Sequence, residues 1–398
     1  MTQRQTALTY EEAGKGARLA LDTLEMKPTR GIASWMLHVM DIAYLEKKSG
    51  HAPGSYRGDP DAVYLDFQRA AGTCMIDQYL ADNPLSMGVH GFECGTERSA
   101  TTGAEAVVLD GIAIDSPESV VEHMERFVLP ALDTSIAETN ATVCRGLTNC
   151  DDAQAAASLV REEYRMQELL GPEILKVPYG IVRFPALRYG AYGYVNYLTA
   201  YLVYPDVMEK DFALQARLAE KQNAIAARAI TEGRLPKVLR SDHDMADSRG
   251  TLVDVRSLDR LWFPHFARSI EPFLRADIRL LWHCDGNLME MTPRLIEAGI
   301  SGFQGFQYED GMDYERICRM RTRDGDPLMI WAGVSVTRTL PFGTADDVRN
   351  ELAWLVENGP KTGLFLGASS SITPGVPWEN LDALIEGLAY YRRRGRVL

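Results

Sequence analysis

Ile278-Arg-Leu-Leu-Trp282-His283-Cys284-Asp285-Gly286 is the stretch whose reading decides the fold. A short, mostly apolar run of strand length ends abruptly in a histidine, a cysteine and a carboxylate. Upstream, Lys237-Val-Leu-Arg240 runs in the same way into Ser241-Asp242-His243-Asp244. Residues 257–276, between the two, place apolar positions at helical spacing. Strand, helix, strand is the repeating unit of a parallel sheet. Downstream, 288–298 reads as a helix and 299–306 as a strand. A helix follows over 313–322 and a strand over 328–333. Thr344 and Asp347 stand in capping-box positions before a helix to about 358. A strand at 363–367 and a helix at 378–394 close the chain. Upstream, 179–184 reads as a strand and 205–232 as a long helix. Earlier still come a buried strand at 31–37, a helical pattern over 60–82, a helix opened by Ser116 and Pro117, and another over 151–170. The expected architecture is α/β, a single (β/α)8 TIM barrel over 29–398 with an N-terminal helical extension over 1–28. A doubly wound sheet is the alternative, but no GxGxxG or P-loop pattern follows a strand.

Composition narrows the function. The chain has 398 residues, 42 Lys+Arg against 55 Asp+Glu, a net charge of −13, and 46% hydrophobic residues. That balance disfavours a nucleic-acid partner, which calls for a basic footprint. No apolar run reaches the roughly 18 residues of a membrane span, and Met1 to Ala7 lacks the apolar core of a secretory signal. Cysteines at 74, 94, 144, 150, 284 and 318 form no CxxC and no disulfide framework. A cytoplasmic protein is expected.

In a barrel of this kind, chemistry sits at the C-terminal ends of the strands. Those ends carry His38, then Asp242-His243-Asp244, then His283-Cys284-Asp285, then Gln304, Gln307, Tyr308 and Glu309, then Ser335, then Ser369 to Ser371. Histidine, cysteine and carboxylate are zinc ligand types, and a catalytic zinc takes three of them plus an open position. His283, Asp285, Cys284 and Glu309 are the candidate metal ligands. His283, Asp285, Glu309, His243 and Asp242 are the candidate catalytic groups. The competing reading is a hydrogen-bonded polar ring that orients substrate or closes the barrel top. Asp242 and Asp244 are acid–base groups or ligands on one reading and turn caps on the other. Trp35, Met36, His38, Arg183, Tyr308 and Ser335 are candidate substrate contacts. Against that stand a core role for Trp35, Met36 and Tyr308 and a structural ion pair for Arg183. His90, Glu93 and Cys94 form a small loop cluster. His51, His123 and His265 read as structural or exposed.

The stretch 177–391 resembles the uroporphyrinogen decarboxylase superfamily. The likeness rests on Ser241-Asp-His-Asp244 with Gly250-Thr-Leu252, Trp262-Phe-Pro264, His283-Cys-Asp-Gly-Asn287, Gly311-Met-Asp313, Ala332-Gly-Val334, Gly343 to Val348, and Gly367 to Ile372 through Pro377-Trp-Glu-Asn380. Gly103 to Gly111 and Ile114 to Glu118 add to it. The resemblance implies one (β/α)8 barrel and one of two activities: decarboxylation of a tetrapyrrole's acetate arms, or methyl transfer to or from a corrinoid with zinc assisting. The decarboxylases carry an arginine motif at the first strand, where this chain has Ala33-Ser-Trp-Met-Leu-His-Val-Met-Asp41. A polyanionic substrate lacking fixed cations is expensive to bury, so uroporphyrinogen is not expected. Thiol-methylating relatives pair His-x-Cys. Here His283 is kept, Asp285 replaces the cysteine, and Ser369 to Ser371 covers the last-strand position. This harder donor set suits an oxygen or nitrogen methyl group, such as an aromatic methyl ether held by Trp35, Met36 and Tyr308. The expectation is therefore a methyltransferase, an O-demethylase, passing methyl to a cobalamin on a partner corrinoid protein. The resemblance also implies a homodimer. The alternatives are a decarboxylase or lyase of another small carboxylated compound and a non-catalytic barrel.

Overall fold

The computed structural model describes residues 6–88, 91–92, 107–144 and 148–396. Eight parallel strands run in chain order: β1 Ala33–Ser34, β2 Met75–Ile76, β3 Leu175–Lys176, β4 Val238–Asp242, β5 Arg279–His283, β6 Gly302–Gln304, β7 Met329–Val334 and β8 Leu364–Ala368. Six of them form one parallel sheet in the order β1-β8-β7-β6-β5-β4. β2 and β3 pair parallel by themselves. Two isolated parallel bridges, Trp35 to Met75 and Tyr179 to Arg240, join the edges of the two sheets.

Every residue of β7 and β8 is buried. A parallel strand is covered on both faces, so its sequence is apolar throughout rather than alternating. One face carries Ala33, Trp35, Met75, Leu175, Val238, Leu281, Met329, Trp331 and Phe365, gathered into a single apolar cluster. The other face meets helices, among them Pro205–Glu232 and Phe263–Arg275. The N-terminal helix Lys15–Leu24 buries Ala17, Ala20 and Leu24 in the cluster that holds Ala33, Met75 and Leu175. Among the described residues, no helix is long and apolar enough to cross a membrane.

The helices Pro205–Glu232 and Trp378–Arg394 fall where periodicity places them. Thr344 and Asp347 cap Ala345–Asn358 reciprocally, as expected. The helical pattern over 60–82 is corrected. The helix Pro60–Ala71 stops at Gly72, whose φ is +69°, and β2 follows inside the expected helix. The strand expected at 179–184 is also corrected, because pairing occurs earlier, in β3. Beyond Tyr179 the chain leaves the sheet, and the Arg183 backbone N–H and C=O are satisfied by the Asn223 side chain at 2.8 and 2.7 Å. A side chain on the covering helix thus replaces a neighbouring strand.

Candidate functional site

Residues paired across a parallel ladder share a face, and alternate residues along a strand face opposite ways. Asp242, His283, Gln304 and Trp331 are register partners in turn. They therefore stand on the face that carries Arg240 and the apolar cluster. The next residues of that parity, Asp244 and Asp285, lie just past the ends of β4 and β5. One ligand atom from each of Asp244, His283 and Asp285 lies within 4.8 Å of the others.

Each member is held. His283 Nδ1 lies 3.2 Å from the Gln304 carbonyl oxygen. A carbonyl only accepts, so Nδ1 carries a proton and Nε2 is the ring nitrogen left for a ligand. That Nε2 is 3.9 Å from Asp285 Oδ1. The Asp285 backbone N–H donates to Asp244 Oδ1 at 2.9 Å, and Gln307 Nε2 donates to Asp285 Oδ1 at 3.3 Å. Burial pushes the Asp285 carboxyl above the ordinary carboxylate range; the His283 ring opposes this, and the Asp244, Asp242 and Glu309 carboxylates add to it. A fixed imidazole beside two hydrogen-bonded carboxylates matches the donor set and supporting shell of a divalent-cation site.

Gly305 sets the His283 position. Its φ is +72°, and a Cβ there would stand 2.5 Å from Nδ1. Gly305→Ala is expected to displace the ring and to cost about 1–2 kcal/mol in backbone strain alone. Urea unfolding together with zinc titration reads both effects, and unchanged zinc affinity would remove this role from Gly305.

Parity also corrects two candidates. His243 points to the opposite face. Its Nε2 accepts from the Leu187 N–H at 3.0 Å, its ring stacks on Tyr189 at 5.5 Å, and burial lowers it to about 4. Cys284 also faces away, with Sγ 3.2 Å from the Met245 N–H, and burial pushes the thiol up to about 12. Its orientation, held by that backbone N–H, keeps the sulfur out of the group.

Glu309 stands beside the group rather than in it. Its Oε1 accepts from Ser335 Oγ at 2.5 Å and from Thr337 Oγ1, while Oε2 is buried without a partner among the described residues. The Ser335 N–H donates to Glu351 at 2.6 Å, and burial raises that carboxyl. Tyr308 is corrected as a pocket floor. Its hydroxyl donates to Glu351, and its ring packs edge-on against Trp354 at 5.2 Å. Trp35 and Met36 are buried in the apolar cluster, Trp35 against Trp331 at 6.2 Å. Arg183 is exposed and donates to the Gly180 carbonyl at 2.9 Å, and among the described residues no carboxylate pairs with it. The structural ion pair expected of it is therefore also corrected. His90, Glu93 and Cys94 lie outside the described residues.

His38 is buried in the segment that follows β1, its Nε2 2.9 Å from Asn83 Nδ2. Burial lowers the ring from 6.5 to about 4. The unfolded chain therefore takes up this proton first. The stabilisation is complete above about pH 6.5 and is lost as pH falls through 4, roughly 3 kcal/mol in all. His38→Gln is expected to lose that much less stability between pH 7 and pH 4, by urea unfolding at both. Equal losses in the two proteins would show that His38 does not titrate in this way.

Three further residues, absent from the sequence-derived candidates, complete the inner face. Arg240 Nε donates to Asp77 at 2.7 Å, and Nη1 donates to Asp242 at 2.8 Å and to Gln304 at 3.1 Å. The Tyr179 hydroxyl donates to Asp242, and its ring lies 4.8 Å from the guanidinium. The available signal was a lone arginine two residues before Asp242, sharing its face.

No family model matches the chain, and no curated protein matches it. Among solved structures it is similar to a methyltransferase from Methanosarcina mazei, with a TM-score of 0.53 and 15% identity, covering 94% of this chain and 98% of that one. A B12-independent methionine synthase from Shewanella sp. W3-18-1 is more distant, with a TM-score of 0.32 and 14% identity over 59% of this chain and 67% of that one. At such identities the first likeness is one of fold.

Proposed function

We infer that the chain is a methyltransferase built on a closed (β/α)8 barrel over 29–398, with residues 1–28 as an N-terminal helical extension. The bridges Trp35–Met75 and Tyr179–Arg240 support closure. The observation that carries the function is the group Asp244, His283 and Asp285 at the strand C-termini. These residues would hold a divalent cation, zinc among those that fit. When bound, the cation supplies a Lewis acid for the charge that develops on the leaving oxygen or nitrogen. His283 is oriented by the Gln304 carbonyl, Asp285 by Gln307, and Asp242 by Arg240 and Tyr179. The substrate is a small O- or N-methyl compound, and the acceptor is a reduced corrinoid carried by a partner protein.

The fold shared with a methyltransferase supports this reading. Decarboxylation of a carboxylated compound weighs less, because Arg240 is already paired with two carboxylates. The test mixes the zinc-loaded protein, a reduced corrinoid protein and a panel of methyl ethers and methylamines. Methylcobalamin absorbance should grow with one donor class. Its absence with every donor would overturn the reading.

A further inference from the structure

Buried donors need acceptors, and the inner face holds three without one. Arg240 Nη2, Trp35 Nε1 and Trp331 Nε1 are buried and have no hydrogen-bond partner among the described residues. Leaving such a donor unmet costs about 1–3 kcal/mol. Register and ring packing connect the three residues. Gln304, which accepts from Arg240 Nη1, is the register partner of Trp331, and the Trp331 and Trp35 rings lie 6.2 Å apart. The nearby acceptors are committed: Asp77 Oδ2, both Asp242 oxygens and Gln304 Oε1 receive the other guanidinium nitrogens, and Asp77 Oδ1 receives the Gln78 N–H. Side-chain exposure falls along the face, from 43% at Asp285 through 27% at Asp242 and 13% at His283 to 3% at Arg240. The donors thus lie at the most buried part of the face whose exposed end is acidic.

We propose that Arg240 is a specificity-determining residue: through Nη2, beside the two indole N–H groups, it receives a neutral oxygen acceptor of the substrate, which enters with that oxygen innermost. The acceptor is a carbonyl, ether or hydroxyl oxygen rather than a carboxylate. Arg240 already faces Asp77 and Asp242, so the trio carries one positive and two negative charges before substrate arrives. A further buried anion would be unpaired and costly. The methyl group of a substrate lying this way points outward to His283, Asp285 and Asp244. Only that orientation rests on the methyl-transfer reading; the oxygen subsite does not.

The test is calorimetric binding to the full chain of two probes that differ in one oxygen, 4-methoxyacetophenone and 1-ethyl-4-methoxybenzene, with 4-methoxybenzoate as the anionic control. The ketone should bind about tenfold tighter than the hydrocarbon, which is what one unmet buried donor is worth. It should also bind more tightly than the carboxylate. Arg240→Lys, which keeps the buried charge but lacks Nη2, should erase the preference. Should that variant not fold, the probe comparison in the unaltered protein decides alone. Equal binding of ketone and hydrocarbon, binding of neither at millimolar concentration, tighter binding of the carboxylate, or a preference retained in folded Arg240→Lys each overturns the proposal. A ketone preference without methyl transfer would sink the methyltransferase reading and leave the subsite standing.

Discussion

His283→Ala is expected to lose its divalent cation and, with it, methyl transfer. The substitution removes the nitrogen among three candidate ligands and leaves two carboxylates, Asp244 and Asp285, on neighbouring strand ends. Loss of a supporting partner alone weakens a metal site by about 10- to 100-fold, and loss of a ligand should exceed that. Cys284→Ser is the informative control. Its sulfur faces away from the group and bonds the Met245 N–H, so metal content and activity should stay near those of the parent. Zinc content after dialysis, read together with methylcobalamin formation, separates the two. A His283→Ala protein that keeps stoichiometric zinc would refute the assigned ligands, and a Cys284→Ser protein that loses it would restore the thiol to them.

Arg240→Met should destabilise the fold by about 3–5 kcal/mol, the usual cost of breaking a buried ion pair from one side. Asp77 has no exposed side-chain surface and would keep an uncompensated charge. Asp242 is 27% exposed and can regain water, so Asp77 carries most of the cost. Adding Asp77→Leu should therefore recover much of the loss, because two apolar residues need no partner. Urea unfolding of both single variants and the double variant forms a mutant cycle. Additive losses would mean that the pair is not the unit of stability described here.

Much of this architecture is legible in the amino-acid sequence. Long helices with clear periodicity and caps, such as Pro205–Glu232 and Ala345–Asn358, lie where the pattern puts them. Strands of five or six residues between helices did as well. The failures share one cause. β2 and β3 have two residues each, too few to show any period. The sequence around β2 continues the pattern of the preceding helix, and the apolar stretch from Tyr179 on has a stronger strand pattern than β3 itself.

The candidate site divides in the same way. Residue types and strand ends pointed to His283 and Asp285, and the structure brings them together with Asp244. His243 and Cys284 carried the right chemistry at the right strand ends on the wrong face. One position along a strand reverses the side chain, and composition is blind to that reversal. Arg240 was hidden for a different reason. Its partner Asp77 lies 163 residues away in sequence, and its third contact, Gln304, reaches it from two strands away.

By itself, then, the sequence determined the alternation of strands and helices and the acidic, histidine-bearing character of the strand ends, because both are written in local pattern. Tertiary structure alone decided which of those side chains look inward and which distant carboxylates neutralise the buried arginine. Register sets the first and the meeting of segments distant in sequence the second, and neither is a local property of the chain.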